Sequence, residues 1–264
     1  NYTSETDPSG YFFSDKGYGV KKSDSNVVIY SGWKYVQEMI DRASSGDKID
    51  IDANYKASSG DDRLIVNKNI TIDLQGKTLN RALTKKDRDG HVIEVKDNST
   101  LTIIDSTSSA KGTITGGYAN NGGGININKG STLIIKQGNI VGNTADKGGG
   151  IFNRGTLIMT GGVIADNLAK DTGGGIHCTT DDANSMLDIR NVTISGNRAE
   201  DEAGAIDMNI DSNSSISNCQ IVNNISGEEG GAIRMDSSGK KLTITDSYIN
   251  GNYASDDGSG IYLN

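Results

Sequence analysis

The sequence predicts an all-β solenoid, a parallel β-helix of about eight rungs closed at one end by a short helix. Two landmark series and the size of the apolar runs predict it. Gly122-Gly123-Gly124-Ile125 returns as Gly148-Gly149-Gly150-Ile151, Gly173-Gly174-Gly175-Ile176, Ala203-Gly204-Ala205-Ile206, Gly231-Ala232-Ile233 and Gly258-Ser259-Gly260-Ile261, with the isoleucines 26, 25, 30, 27 and 28 residues apart. Eight or nine residues before each isoleucine stands Asn143, Asn167, Asn197, Asn224 or Asn252, with Gly117 in the first round, and three residues earlier again an isoleucine, from Ile114 and Ile140 to Ile249. Two landmarks that drift together mark one structural unit wound repeatedly. Between them the apolar runs are short and alternate, as in Leu133/Ile135 and Leu187/Ile189, the pattern of strands with one buried face. A unit of this size leaves no room for a helix and reads as three short strands per round, stacked at about 4.8 Å.

Taken in order, residues 1 to about 30 are polar and turn-rich and read as an irregular lead-in along the coil. Trp33, Val36, Met39 and Ile40 then fall on one helical face. An open β-helix end exposes unpaired strand edges and apolar core, so a short amphipathic helix here serves as a cap. Gly46-Asp47-Lys48-Ile49 ends it; the cap and lead-in occupy residues 1–48 and the solenoid 49–264. Ile70/Ile72 and Leu101/Ile103 are early versions of the strand later carried by Leu133, Leu157, Leu187 and Leu242, with Ser214 in place of a leucine in a round expected to be loosely packed. Thr179–Ser185 is the long insertion among the later rounds. With no initiator Met and no signal peptide, the chain is expected to follow a removed leader or an upstream domain; with no cap after Ile261, further domains of a parent chain are expected beyond it.

The capping helix, Gly46-Asp47-Lys48-Ile49, Leu64-Ile65-Val66 and Asn69-Ile70-Thr71-Ile72-Asp73-Leu74-Gln75-Gly76 together resemble the entry to pectin-lyase-like right-handed β-helices. Rounds such as Gly155-Thr156-Leu157-Ile158-Met159-Thr160-Gly161-Gly162 resemble the repeats of bacterial surface proteins of the adhesin type. The resemblance runs from about residue 33 to the end and implies a right-handed coil with an inward asparagine ladder. It leaves activity open, because lyases, hydrolases and adhesins share the fold. The acids that polygalacturonase-like enzymes carry in the glycine strand are replaced here by Gly173-Gly174, Ala203-Gly204 and Gly230-Gly231.

Composition narrows the classes. A net charge of −8 argues against a nucleic-acid partner, which needs clustered Lys and Arg. No apolar run approaches the length of a membrane span. Cys178 and Cys219 fall on different strands and read as buried free thiols.

Two outward columns could carry function. The residue after each landmark isoleucine points away from the core, giving Asn126, Phe152, His177, Asp207, Arg234 and Tyr262. Beside it, the residue before each isoleucine (Gly124, Gly150, Gly175, Ala205, Ala232, Gly260) is expected to form a bare outward floor. The varied column reads either as a cross-strand charge ladder or as a strip that a sugar chain lies across. Phe152, His177, Asp207, Arg234 and Tyr262 are the ligand-contact residues of that second reading, and Asp207, His177 and Arg234 the catalytic ones of an enzymatic variant. The acids five residues before each isoleucine double in the last rounds, as Asp201/Glu202, Glu228/Glu229 and Asp256/Asp257. They read as solvated turn carboxylates, as a calcium site, or as a glycosidase pair. No cofactor other than calcium is implied. The expectation is therefore a secreted or cell-surface bacterial β-helix, an adhesin or binding module for a glycan or surface protein. A polysaccharide lyase or glycoside hydrolase and a structural spacer are the alternatives.

Overall fold

A computed structural model describes the backbone of residues 11–13, 19–23 and 26–30, and residues 31–107, 111–179, 185–209, 212–236 and 241–264 in full. The chain is a right-handed parallel β-helix of about seven turns. Four sheets line it. Sheet I runs from Lys48–Asp50 through Ile70–Asp73 to Leu242–Thr245; sheet II from Tyr55–Lys56 to Tyr248–Asn250; sheet IV from Leu64–Val66 to Ile261–Leu263; each has eight strands among the described residues. The expected three strands per round become four because a further sheet, III, runs from Tyr118–Asn121 through Thr144–Lys147 to Tyr253–Ala254 with six strands. All pairings within the four sheets are parallel and keep the register of the repeat. Leu101 faces Leu133, Leu133 faces Leu157, and Leu157 faces Leu187 in sheet I. Ile125, Ile151, Ile176, Ile206, Ile233 and Ile261 stack in sheet IV.

Sheet III is narrow for a packing reason. Its inward column is Ala119, Ala145, Ala169, Ala199, Ser226 and Ala254, every member buried. The small side chains leave room for the asparagine corner two residues earlier. There Asn143, Asn167, Asn197 and Asn224 are fully enclosed. Each amide Nδ2 donates to the Oδ1 of the next asparagine at 2.9–3.0 Å, and each of those Oδ1 atoms also accepts the backbone N–H of the asparagine before it at 2.9–3.1 Å. In the first round Gly117 donates its N–H to Asn143 Oδ1. A Cβ at Gly117 would stand 1.7 Å from the Gly123 carbonyl, so no asparagine fits there.

The N-terminal helix spans Gly32–Arg42, with Ser31 Oγ accepting the Lys34 N–H at its start. Trp33, Tyr35, Val36 and Ile40 are buried against the first turns, with Met39 partly so. The helix also satisfies the open strand edge that the sequence left exposed. The Gln37 amide accepts the Ile65 N–H at 2.7 Å and donates to the Ile65 carbonyl at 3.2 Å, while Trp33 Nε1 donates to the Asp62 carbonyl. Before it, the expected irregular lead-in contains an antiparallel three-stranded sheet of Tyr11–Phe13, Gly19–Ser23 and Asn26–Tyr30. Residues 1–10, 14–18 and 24–25 of the lead-in and residues 180–184 of the insertion lie outside the described residues.

Ser214 is buried, and its hydroxyl accepts the Leu187 N–H at 3.2 Å, which compensates the missing leucine with a hydrogen bond. Cys178 and Cys219 are both buried free thiols. Burial pushes the Cys178 thiol up to about 12.

Candidate binding face

The outer face of sheet IV carries the column that sequence singled out, in register from Glu94 through Asn126, Phe152, His177, Asp207 and Arg234 to Tyr262. The tight approach of successive turns fixes it. A Cβ on Gly149 would lie 2.5 Å from the Gly174 carbonyl, and one on Gly174 2.3 Å from the Gly204 carbonyl, so the turns entering these strands accept only glycine there.

These side chains point away from the core, yet most are not free. Phe152, His177 and Asp207 are 4%, 6% and 2% exposed. They cover one another. The His177 imidazole stacks on the Phe152 ring, centroids 5.2 Å apart and planes inclined by 12°, and the Arg154 guanidinium lies 5.9 Å over the far partner. His177 Nδ1 lies 2.7 Å from Asp207 Oδ2, a close polar contact rather than an aligned hydrogen bond. Asp207 Oδ1 accepts from Arg234 at 3.3 Å. Burial alone would raise the Asp207 carboxyl; His177 and Arg234 outweigh it and hold the group below the usual carboxylate range.

Arg234 is the hub. Around its guanidinium stand Asp207 at 3.3 Å, Glu202 at 3.2 Å, Glu229 at 3.5 Å and Asp236 at 3.6 Å. Of these, Asp207 is enclosed and the other three reach solvent. Partial burial holds the Glu202 carboxyl above its usual value despite Arg234, and the nearby Asp207, Glu229 and Glu228 charges add to the shift. At the top of the column the Tyr262 phenol is raised by the Glu229 charge.

Two expectations change here. The residues before the isoleucines do not form an outward floor. Ala205 and Ala232 belong to the buried core, and a Cβ on Gly124 would meet Ile140 Cγ2 at 2.7 Å and the Asn143 amide at 3.2 Å. The preceding turn, with Gly122, Gly148 and Gly173 at positive φ, rotates the chain, so the period-two alternation of the strand does not extend back through it. The acidic pairs, for their part, have no common centre. Asp201, Glu228, Asp256 and Asp257 are exposed, Glu202 and Glu229 turn to Arg234, and among the described residues no three His, Cys, Asp or Glu side chains are grouped to hold a metal ion.

The described residues of this face therefore offer a rigid rim of charge, and none of them raises a wall beside it. Asp207 has both oxygens engaged and lacks access to a polymer. Sequence reasoning missed Arg154, Asp236 and the lower continuation of the column. There Arg63 Nε donates to Glu94 at 2.8 Å, Asn128 donates to Glu94 at 2.8 Å, and Arg154 donates to Asn128 at 2.9 Å. The signal was available, since Asn128, Arg154 and Asp236 each follow a landmark isoleucine by three residues. No family model matches the chain, and neither a curated protein nor a solved structure matches it. No helix among the described residues is long and apolar enough to cross a membrane.

Proposed function

We propose that this chain is a binding module of the adhesin type, secreted or displayed at the surface of a bacterium, that holds a glycan or a surface protein against the rim of sheet IV. The observation that carries the reading is the set of carboxylates fixed around Arg234. Three of them are open to solvent, Glu202 and Glu229 on the turns that enter sheet IV and Asp236 just after one of its strands, so a partner would meet polar groups already ordered. Arg234, Glu202, Glu229, Asp236 and Tyr262 are then the contact residues, while Phe152, His177 and Asp207 stiffen the face from behind. Kinship with pectin-lyase-like β-helices and with adhesin repeats rests on the residues that carry that resemblance and on the shared solenoid form.

A lyase or glycoside hydrolase is less well supported, because Asp207 is enclosed and ion-paired to Arg234 and no wall stands beside it among the described residues. A spacer role predicts that the rim is silent. A glycan array and a surface-protein binding screen with the intact chain, repeated with Arg234→Ala and Tyr262→Ala, test the proposal. Binding that both substitutions weaken supports it. Binding to neither panel, or binding indifferent to both substitutions, rejects it; release of reducing ends or unsaturated products from a polysaccharide would establish the enzyme instead.

A further inference from the structure

Sheet III has six strands where sheets I, II and IV have eight, because the first two turns carry loops in its place, residues 57–63 and 81–92. Between these loops lies a cleft of about 660 Å³, large enough for a small organic molecule. Apart from Arg63, which also reaches Glu94 at the foot of the sheet IV column, its lining belongs to neither column described above.

The charges in it are unevenly satisfied. Asp61 is buried, and its carboxylate already accepts from Ser31 Oγ at 2.9–3.0 Å and from the Ser58 N–H at 2.7 Å. Arg63 is engaged by Glu94 at 2.8 Å and Asp62 at 3.1 Å. Arg81 is different. It lines the cleft, is only 4% exposed, and its guanidinium makes no ion pair or side-chain hydrogen bond among the described residues, with Nε both buried and without a partner. Burial disfavours its charge, and the Asp62, Asp87 and Asp61 carboxylates offset this only in part. The next residue, Ala82, sits at φ 55°, a left-handed conformation uncommon for a residue with a Cβ, held by its N–H to Asn80 Oδ1 at 2.7 Å. A guanidinium whose buried Nε lacks an acceptor is an unfavourable arrangement.

We propose that this cleft is a ligand site in which Arg81 anchors the carboxylate of a small hydroxy or amino acid. A guanidinium matches a carboxylate in shape and charge, and although the exposed Lys85 also lines the cleft, its four aspartates outnumber Arg63, Arg81 and Lys85, which suits a monoanion. The rest of the lining selects the body of the ligand. Asp62, Asp87 and Asp89 are exposed around the mouth and accept hydrogen bonds, so they favour hydroxyl or ammonium donors and repel a multiply charged anion.

Calorimetric titration of the full chain with acetate, lactate, glycine and inorganic phosphate tests this. Saturable binding of lactate or glycine, tighter than that of acetate and phosphate, is the expected result; lactate and glycine separately report whether hydroxyl or ammonium is preferred. Arg81→Gln should weaken it roughly ten- to hundredfold, the range given by losing a charge-assisted hydrogen bond. Because the substitution touches a buried side chain, Ser59→Trp serves as a second variant. Ser59 is an exposed lining residue, so an indole there obstructs the mouth and leaves Arg81 in place. Circular dichroism confirms that each variant is folded. The proposal is overturned by no saturable binding of lactate or glycine at millimolar concentration, by phosphate binding alone, or by binding unchanged in Ser59→Trp and in a folded Arg81→Gln.

Discussion

Replacing Asn197 with alanine tests the corner on which the turns are stacked. Asn197 Oδ1 accepts the Asn167 N–H at 3.1 Å and the Asn167 amide at 2.9 Å, while its own Nδ2 donates to Asn224 Oδ1 at 2.9 Å and to the Ile164 carbonyl at 3.0 Å. In Asn197→Ala the Asn167 amide keeps the Ile140 carbonyl and Asn224 Oδ1 keeps the Asn197 N–H, so neither is orphaned. The buried Asn167 N–H is left without an acceptor, which costs about 1–3 kcal/mol, and the remaining lost bonds add about 1 kcal/mol. A loss of roughly 3 kcal/mol follows. Urea unfolding followed by far-ultraviolet circular dichroism would show it as a midpoint lowered by about 1–2 M, for an m-value of about 2 kcal/mol/M. The exposed Asn250→Ala should stay within about 0.5 kcal/mol of the parent. Asn197→Asp keeps the shape but turns an acceptor onto the Ile164 carbonyl and Asn224 Oδ1. At neutral pH it should be less stable than Asn197→Ala, and the gap should narrow in acid, where the carboxyl regains a proton to donate. A cost below about 0.5 kcal/mol for Asn197→Ala would refute the claim that the ladder holds the turns together.

Three further outcomes follow. His91 is 2% exposed with both ring nitrogens unpartnered among the described residues, and burial pushes it down to about 4, below its value in the unfolded chain. The unfolded state therefore binds the extra proton first, and stability falls as pH drops from about 6.5 to 4, by about 3 kcal/mol in all; His91→Leu should remove that part of the pH dependence of urea unfolding, and an unchanged profile would contradict it. Asp207→Asn removes the carboxylate shared by His177 and Arg234 and should cost about 2–4 kcal/mol of unfolding free energy, less than for a pair with no other partners, because Glu202 and Glu229 still face Arg234. A Tm equal to that of the parent would show that the buried pair contributes nothing. Finally, Cys178 and Cys219 should react with an aromatic disulfide reagent only after denaturation, since both are buried and both thiols are shifted upward by desolvation; prompt labelling of the native chain would contradict this.

The repeat was legible because its landmarks are residues that the geometry can hardly replace. Glycine is required where a Cβ would strike the next turn's backbone, and asparagine where one amide must serve both a neighbouring side chain and the main chain. Trp33, Val36 and Ile40 likewise announced the cap by their spacing, though the exchange between Gln37 and Ile65 was hidden, since any exposed helix position can hold glutamine. Sheet III escaped notice because its inward residues are alanine and serine, too small to register as an apolar alternation. Their regular place two residues after each asparagine was nevertheless there to be found. The column on sheet IV was placed on the correct side, but period two reports direction and not exposure. Phe152 and His177 bury themselves by stacking, which no one-dimensional pattern records. Arg81 and His91 lie in loops outside the repeat, so their enclosure could be seen only in three dimensions.

The asparagine corner also bears on how such a chain can change length. Asn143 and Asn167 are 24 residues apart and Asn167 and Asn197 are 30, yet each hands the same pair of hydrogen bonds to its neighbour. The joint between laps is thus indifferent to how many residues lie in between. A gene could gain or drop a whole lap by unequal recombination, or lodge an extra loop within one, and the cut ends would meet as the original ones did.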